Sequence, residues 1–173
     1  IGRLDEAERY KGVDELIEIL PALVAESESI KLVIGGVGND LPRLRQKAQI
    51  LNMENHIVFA GFVGEDILVD FYRLADVFAM PGSGEGFGIV YLEALACGIP
   101  VVGSLKDGSA EALMHGELGY LADPDSNEDI FIAIKTQLDK KKGRDPRIEY
   151  FSVGSFDGRV KQLALKINEY CHG

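Results

Sequence analysis

Glu85 and Glu93 stand eight residues apart in the segment Glu85-Gly-Phe-Gly-Ile-Val-Tyr-Leu-Glu93, which runs on through Ala96-Cys-Gly-Ile-Pro100. A helix that opens at Phe87 or Gly88 begins between the two acids. Its first backbone N–H groups have no intrahelical partner and carry partial positive charge, so they form a site for an anion. Glu93 then lies about five residues further on, roughly 7.5 Å along the axis. A phosphate at the helix start and a ribose beside Glu93 fit that span. Glu85 stays in the loop, free to meet whatever hangs off the phosphate. If both acids were only surface glutamates of an amphipathic helix, Gly82, Gly84, Gly86 and Gly88 around a loop acid would be hard to explain by packing alone.

Apolar runs of strand length alternate with segments of helical period along the chain, the signature of a parallel sheet covered on both faces. Helices are expected at 13–25, 41–51, 65–74, 109–114, 128–138 and 156–170, besides the one that follows Glu85 and ends at Gly98. Strands are expected at 30–34, 56–60, 76–80, 100–102 and 119–122. Asp40 reads as an N-cap with Pro42 in the first turn, Asp125 or Ser126 as another cap, and Gly98 as a C-terminal cap. In an open parallel sheet, ligands bind beyond the carboxyl ends of the strands. The loops there are 3–11, 35–40, 61–65, 81–88 and 103–109, and they hold every glycine-rich stretch except the C-terminal one.

The segment from Glu85 to Glu93 resembles the Glu-x7-Glu motif of retaining glycosyltransferases of family 4, which have the GT-B fold. Gly2-Arg-Leu4 with Lys11-Gly12 is similar to the family motif that supplies an Arg and a Lys to the donor diphosphate. Leu32-Val-Ile-Gly-Gly-Val-Gly38, Val58-Phe-Ala-Gly-Phe-Val63, Ala75-Asp-Val-Phe-Ala-Met-Pro81 and Gly98-Ile-Pro-Val-Val102 follow in the family's order. The match is specific as a set and covers roughly residues 1 to 125.

The resemblance implies a Rossmann-like α/β domain, the C-terminal donor-binding half of a GT-B enzyme that moves a sugar from a nucleoside-diphosphate sugar with retention. It gives the Ile89 and Val90 amides the distal phosphate, Arg3 and Lys11 the diphosphate, and Glu93 the ribose hydroxyls. Glu85, Gly86, Phe87 and Gly88 face the sugar. The base packs against Phe62 and Val63, with Gly36 and Gly38 nearby. Arg3, Lys11 and Glu85 are the residues expected to act on the reaction itself. Two cations beside a helix N-terminus also make chemical sense, because the leaving phosphate gains negative charge. Taken singly, either also reads as a solvated surface charge. The nucleotide sugar is a substrate, and no cofactor is expected.

Other motifs yield to plainer readings. Gly35-Gly-Val-Gly38 lacks the third glycine of a dinucleotide fingerprint, with Leu41 standing in its place, and reads as a tight turn that lets a nucleotide approach. Asp123-Pro-Asp125 reads as turn and cap chemistry, not a metal motif, so metal-independent transfer is expected. Glu111 reads as a helix-start acid, Phe71, Tyr72 and Phe78 as core, and Cys97 as a small buried residue. His56, His115, His172 and the two cysteines, Cys97 and Cys171, show no ligand or redox spacing.

The chain has 173 residues, 46% hydrophobic and 27% charged, and reads as a single domain over 1–173. A net charge of −10 argues against nucleic acid. The Lys140–Arg144 cluster reads as a solvated loop. No run approaches a membrane-spanning length, and a cytoplasmic location is expected. Ile1-Gly-Arg-Leu4 reads as the tail of a strand, so an N-terminal acceptor domain is expected upstream as the partner half. Through that half, peripheral membrane association is compatible with the sequence. The fragment alone is expected to be inactive. Two rival functions remain: a nucleotide-sugar epimerase of the same fold, and a non-catalytic nucleotide-binding module.

Overall fold

The computed structural model describes residues 1–155 and 158. The expected helix at 156–170 lies outside these apart from residue 158, as do Cys171 and His172. In chain order the elements are α1 (Val13–Glu26), β1 (Leu32–Gly35), α2 (Leu41–Ile50), β2 (Ile57–Gly61), α3 (Glu65–Leu74), β3 (Phe78–Ala79), α4 (Ile89–Ala96), β4 (Val101–Ser104), α5 (Ser109–Ala112), β5 (Tyr120–Ala122) and α6 (Asn127–Leu138). Short 3-10 segments occupy Glu6–Lys11, Glu54–His56, Met114–Gly116 and Pro146–Phe151.

All pairing among the described residues is parallel, but it forms two ladders, β1-β2 and β3-β4-β5. The parallel sheet expected from the sequence is thus divided between β1 and β3. An apolar cleft separates β1 from β3.

The core follows from strand alternation. Val101 and Val102 are both fully buried. Val101 points into a cluster with Tyr72, Phe78, Tyr91, Ala94 and Leu95. Val102 points the other way, onto Leu16, Ile19 and Leu23 of α1 and onto Ile130, Ala133 and Ile134 of α6. A strand buried on both faces needs helices on both sides, which is the layered α/β arrangement. A third cluster sets Ile17 and Leu20 of α1 and Leu44 and Ala48 of α2 over Ile34 and Ile57. The helical spacing of 16, 17, 20 and 23 is what turns one stripe of α1 inward.

Asp40 corrects one reading. It is 3% exposed, but its side chain makes no cap hydrogen bond. Arg43 instead donates to it twice, from Nε at 2.7 Å and Nη2 at 2.6 Å, and Arg9 donates at 2.9 Å. Charge-assisted bonds to two guanidinium groups outcompete a neutral amide. Arg43 also binds Asp14, and Lys47 binds both Asp14 and Glu18, so ion pairs tie α1, α2 and the Glu6–Lys11 turn together. Ser126 does cap α6, accepting from Asp129 N–H at 3.2 Å. Cys97 is another correction. It is only half-buried, and burial pushes its thiol pKa up.

Candidate functional site

α4 begins at Ile89, one residue past the later of the two starts expected from the sequence, because Gly88 is left-handed and caps the helix instead of opening it. Gly88 sits at φ +81°, and a Cβ there would meet the Tyr91 ring at 2.2 Å, so glycine is required on both counts. Tyr91 is fully buried and donates from its hydroxyl to Met80 O at 2.8 Å. That bond fixes the first turn of α4 against the end of β3. The Ile89 side chain is 67% exposed.

The loop before α4 is held from two sides. Ser83 N–H donates to Tyr10 O at 2.8 Å, and a Cβ on Gly82 would lie 1.7 Å from that oxygen. On the other side, Glu85 N–H donates to Asp107 Oδ2 at 3.0 Å, and Gly108 N–H donates to Glu85 O at 2.9 Å. A Cβ on Gly108 would meet Gly86 O at 2.0 Å. Both backbone groups of Glu85 are therefore occupied by the β4–α5 loop, which fixes where its carboxylate begins. Asp107 also accepts from Ser109 N–H at 3.0 Å and from the Ser109 hydroxyl. From the sequence, Asp107 falls in the expected 103–109 loop, just before the short helix, with no role of its own. Its position at the end of a strand was the available signal for its bracing role.

A cavity of about 310 Å³ opens at this corner. It is lined by Glu85, Phe87, Gly88, Ile89 and Val90 with Lys11, Gly2, Ile1 and Met80. Lys11, Glu85 and the start of α4 are thus brought together. Gly2 makes room for the lysine, whose Nζ lies 3.1 Å from where a Gly2 Cβ would stand. Arg3 is placed next door, on the wall of the larger cleft that Lys11 also lines. The two cations share one counter-ion that the sequence reading missed. Glu8 accepts from Arg3 Nη2 at 2.5 Å and also from Lys11. The Glu8 side chain is 10% exposed and is turned inward by a kink in the Glu6–Lys11 turn at φ −116°, ψ 22°.

Glu93 lies on α4 but not on the lining of that cavity. Its Oε2 accepts from the Tyr72 hydroxyl at 2.8 Å. Tyr72 is core, as read, but it also orients this carboxylate. Its own pKa is pushed up, first by burial and then by the carboxylate beside it. Gly36 and Gly38 have a packing duty: added Cβ atoms would lie 1.8 Å from Gly2 O and 2.2 Å from the Leu4 backbone. They admit the segment 2–4 to the edge of β1. Phe62 is 78% exposed, and Val63 packs near Gly35 and Phe71. Neither lines the Glu85 cavity.

Asp123 and Asp125 both bind Lys106 at 2.6 Å, and Asp125 N–H donates to Asp123 at 3.0 Å, an ordinary turn with a shared cation. Glu111 is exposed in the short α5, and the Lys140–Arg144 stretch is exposed throughout. Among the described residues no helix is long and apolar enough to cross a membrane.

Comparison with known proteins then decides the family. The profile of glycosyl transferases group 1 matches residues 1–151. This chain belongs to the group 1 glycosyl transferases. It is 38% identical over 174 aligned positions to the GDP-mannose-dependent alpha-(1-6)-phosphatidylinositol monomannoside mannosyltransferase of Mycobacterium tuberculosis, covering 94% of this chain and 44% of that protein. It is 34% identical to the mannosylfructose-phosphate synthase of Agrobacterium fabrum, covering 72% of this chain and 29% of that protein. The chain therefore spans less than half the length of these relatives. Among solved structures, Anabaena HepE in complex with UDP-glucose superposes with a TM-score of 0.68 at 27% identity, covering 80% of this chain and 38% of that one. The sucrose-phosphate synthase of Thermosynechococcus elongatus superposes with a TM-score of 0.77, covering 98% of this chain and 46% of that one; at 24% identity it speaks for the fold alone. The architecture is that of one half of a GT-B glycosyltransferase.

Proposed function

We propose that this chain is the donor-binding half of a retaining, metal-independent glycosyltransferase that takes its sugar from a nucleoside-diphosphate sugar. The observation that carries the reading is the single cavity bounded by the first turn of α4, Lys11 and Glu85. The donor class is supported by a relative that is GDP-mannose-dependent and by a neighbour held in complex with UDP-glucose.

In this reading the Ile89 and Val90 amides and Lys11 take the distal phosphate, and Arg3 extends the positive field along the diphosphate. Amides fixed at a helix start need no reorganisation as charge builds on the leaving phosphate. Glu93, oriented by Tyr72, accepts from the ribose hydroxyls. Glu85 meets the sugar with Gly86, Phe87 and Gly88, and the base lies against exposed Phe62 and Val63 near Gly36 and Gly38. The leaving phosphate takes the acceptor proton on the same face, so the chain itself needs no dedicated base. The acceptor site and its half of the machinery lie in a partner domain of the same polypeptide, and the reaction in this reading is cytoplasmic.

The test uses the longer enzyme with a nucleotide sugar and an acceptor, with product configuration read by NMR at first turnover. Retention, unchanged by a metal chelator, is expected. Inversion, or loss of transfer on chelation, overturns the reading. The 173-residue chain alone should bind nucleotide weakly and transfer no sugar.

A further inference from the structure

The loop that carries Glu85 is built from residues that do not hold a shape by themselves. Gly82, Gly84, Gly86 and Gly88 alternate along it, and glycine leaves a backbone freer than any other residue. Its two ends are tied, by Ser83 N–H on Tyr10 O and by Tyr91 N–H on Gly88 O at 3.0 Å. Glu85 stands between those ties. Its Cγ lies 3.2 Å from where a Gly88 Cβ would be, so its stem runs over the start of α4.

The middle of the loop is held from the β4–α5 side. Asp107 Oδ2 accepts from Glu85 N–H at 3.0 Å, and Gly108 N–H donates to Glu85 O. Asp107 Oδ1 accepts from Ser109 N–H and from the Ser109 hydroxyl. Three donors converge on one side chain. An ionised carboxylate accepts at both oxygens and satisfies all of them; an amide of the same shape has one accepting oxygen and presents N–H groups at the other place.

This brace is anchored in the sheet. Ser104 and Ser109 are fully buried. The Ser109 hydroxyl oxygen accepts from Ser104 N–H at 2.8 Å, and Ser104 is paired with Ala122 in the β4-β5 ladder. A Cβ on Gly103 would lie 2.7 Å from Leu113 and 3.2 Å from Ser109 Oγ, so glycine makes room for that packing. A continuous path of bonds therefore runs from β4 through Ser109 and Asp107 to the backbone of Glu85.

We propose that Asp107 is a positioning residue for sugar transfer, which holds the Glu85 carboxylate where the sugar is met. The inference rests on the reading of Glu85 as the sugar-facing acid. It adds to that reading a residue that lies outside the Glu85–Glu93 segment and outside the cavity lining. The phosphate-facing parts are held by other contacts: Tyr91 ties α4 to Met80 O, and Tyr10 ties the Lys11 turn to Ser83. Losing the Asp107 brace thus loosens Glu85 and leaves the nucleotide's own contacts in place.

The test uses the longer enzyme with a nucleotide sugar and an acceptor. Asp107→Asn keeps the size of the side chain and sets an N–H against either Glu85 or Ser109. Asp107→Ser keeps a turn to Ser109 N–H and is too short to reach Glu85. Both should lower kcat by about tenfold to a hundredfold, the cost of a catalytic group displaced by a fraction of an ångström to an ångström. The KM for the nucleotide sugar, and the affinity for UDP or GDP by calorimetry, should stay within about twofold. Ser104→Ala is the control, because it removes an acceptor for Lys106 N–H in the same loop and leaves the Glu85 bonds alone. It should lower Tm without lowering kcat. Wild-type kcat in both Asp107 variants overturns the proposal. So does a nucleotide affinity that falls in step with kcat, or an equal loss of kcat in Ser104→Ala, which would make the effect one of loop stability. Glu85→Ala is run alongside: if it lowers turnover and the Asp107 variants do not, the positioning role alone fails, whereas unchanged turnover in Glu85→Ala overturns the role of Glu85 and this inference with it.

Discussion

Glu8 sets the charge of the candidate site. It binds both Arg3 and Lys11, the two cations that the proposed function assigns to a diphosphate, so an incoming phosphate must compete with a carboxylate for the same ammonium and guanidinium groups. Glu8→Gln removes the competitor's charge. Affinity for UDP or GDP and for inorganic pyrophosphate should rise several-fold by calorimetry, while nucleoside binding stays as it was; an unchanged or weaker pyrophosphate affinity contradicts this. The two motif glutamates should fail in different ways. Glu93→Ala deletes an acceptor for ribose hydroxyls, a charged hydrogen bond worth roughly 1.5–3 kcal/mol, so nucleotide affinity should drop about tenfold or more. Glu85→Ala should leave free nucleotide affinity nearly unchanged and lower turnover of the longer enzyme, because its partner is the sugar. Equal losses of nucleotide affinity would break that division of roles. The positions of Glu85 and Glu93 about the start of α4 were legible from a glycine turn and a helix start, whereas Lys11 stood out only through the family resemblance. Glu8 and Asp107 were not legible, because each acts through a contact across the fold that no local pattern records.

The start of α4 is where an element makes chemistry possible. Gly88→Ala puts a methyl group into the Tyr91 ring at a left-handed backbone position, and the ring cannot retreat without breaking its bond to Met80 O. Urea unfolding should show a loss of about 2 kcal/mol, within the range for such strain, together with weaker nucleotide binding. Gly86→Ala is the control. A Cβ there meets nothing within 4 Å, and stability should change by less than about 0.5 kcal/mol. Equal losses in the two variants would refute the steric account. The long helices were readable from period and caps; α3 spans the very residues that the sequence reading gave it. The Glu6–Lys11 turn went unread because six mostly charged residues carry no apolar period. The misread cap at Asp40 has a related cause: two arginines, one of them 31 residues away, claim the carboxylate.

At the scale of the molecule, one buried carboxylate couples folding to pH. Asp40 is held at about 2 against an ordinary 3.8, first by Arg43, so its contribution is present above pH 4 and is lost on the way to pH 2. Tm should therefore fall from pH 4 to 2, and a flat Tm across that window would contradict the assignment. The α/β class was legible because alternation of period marks each element. The division into two ladders was not, because a strand's own pattern does not say which strand lies beside it.

The central claim is that the first turn of α4 and Lys11 together bind the diphosphate of a nucleotide. The most direct measurement is a titration of the isotopically labelled chain with GDP and with UDP, following backbone amide shifts residue by residue. The account predicts that at least one nucleotide produces saturable shifts centred on Gly88, Ile89, Val90 and Lys11, and that inorganic pyrophosphate perturbs the same amides. Saturable shifts confined to Gly36–Gly38 or to another face, or no shifts with either nucleotide at millimolar concentration, would contradict it.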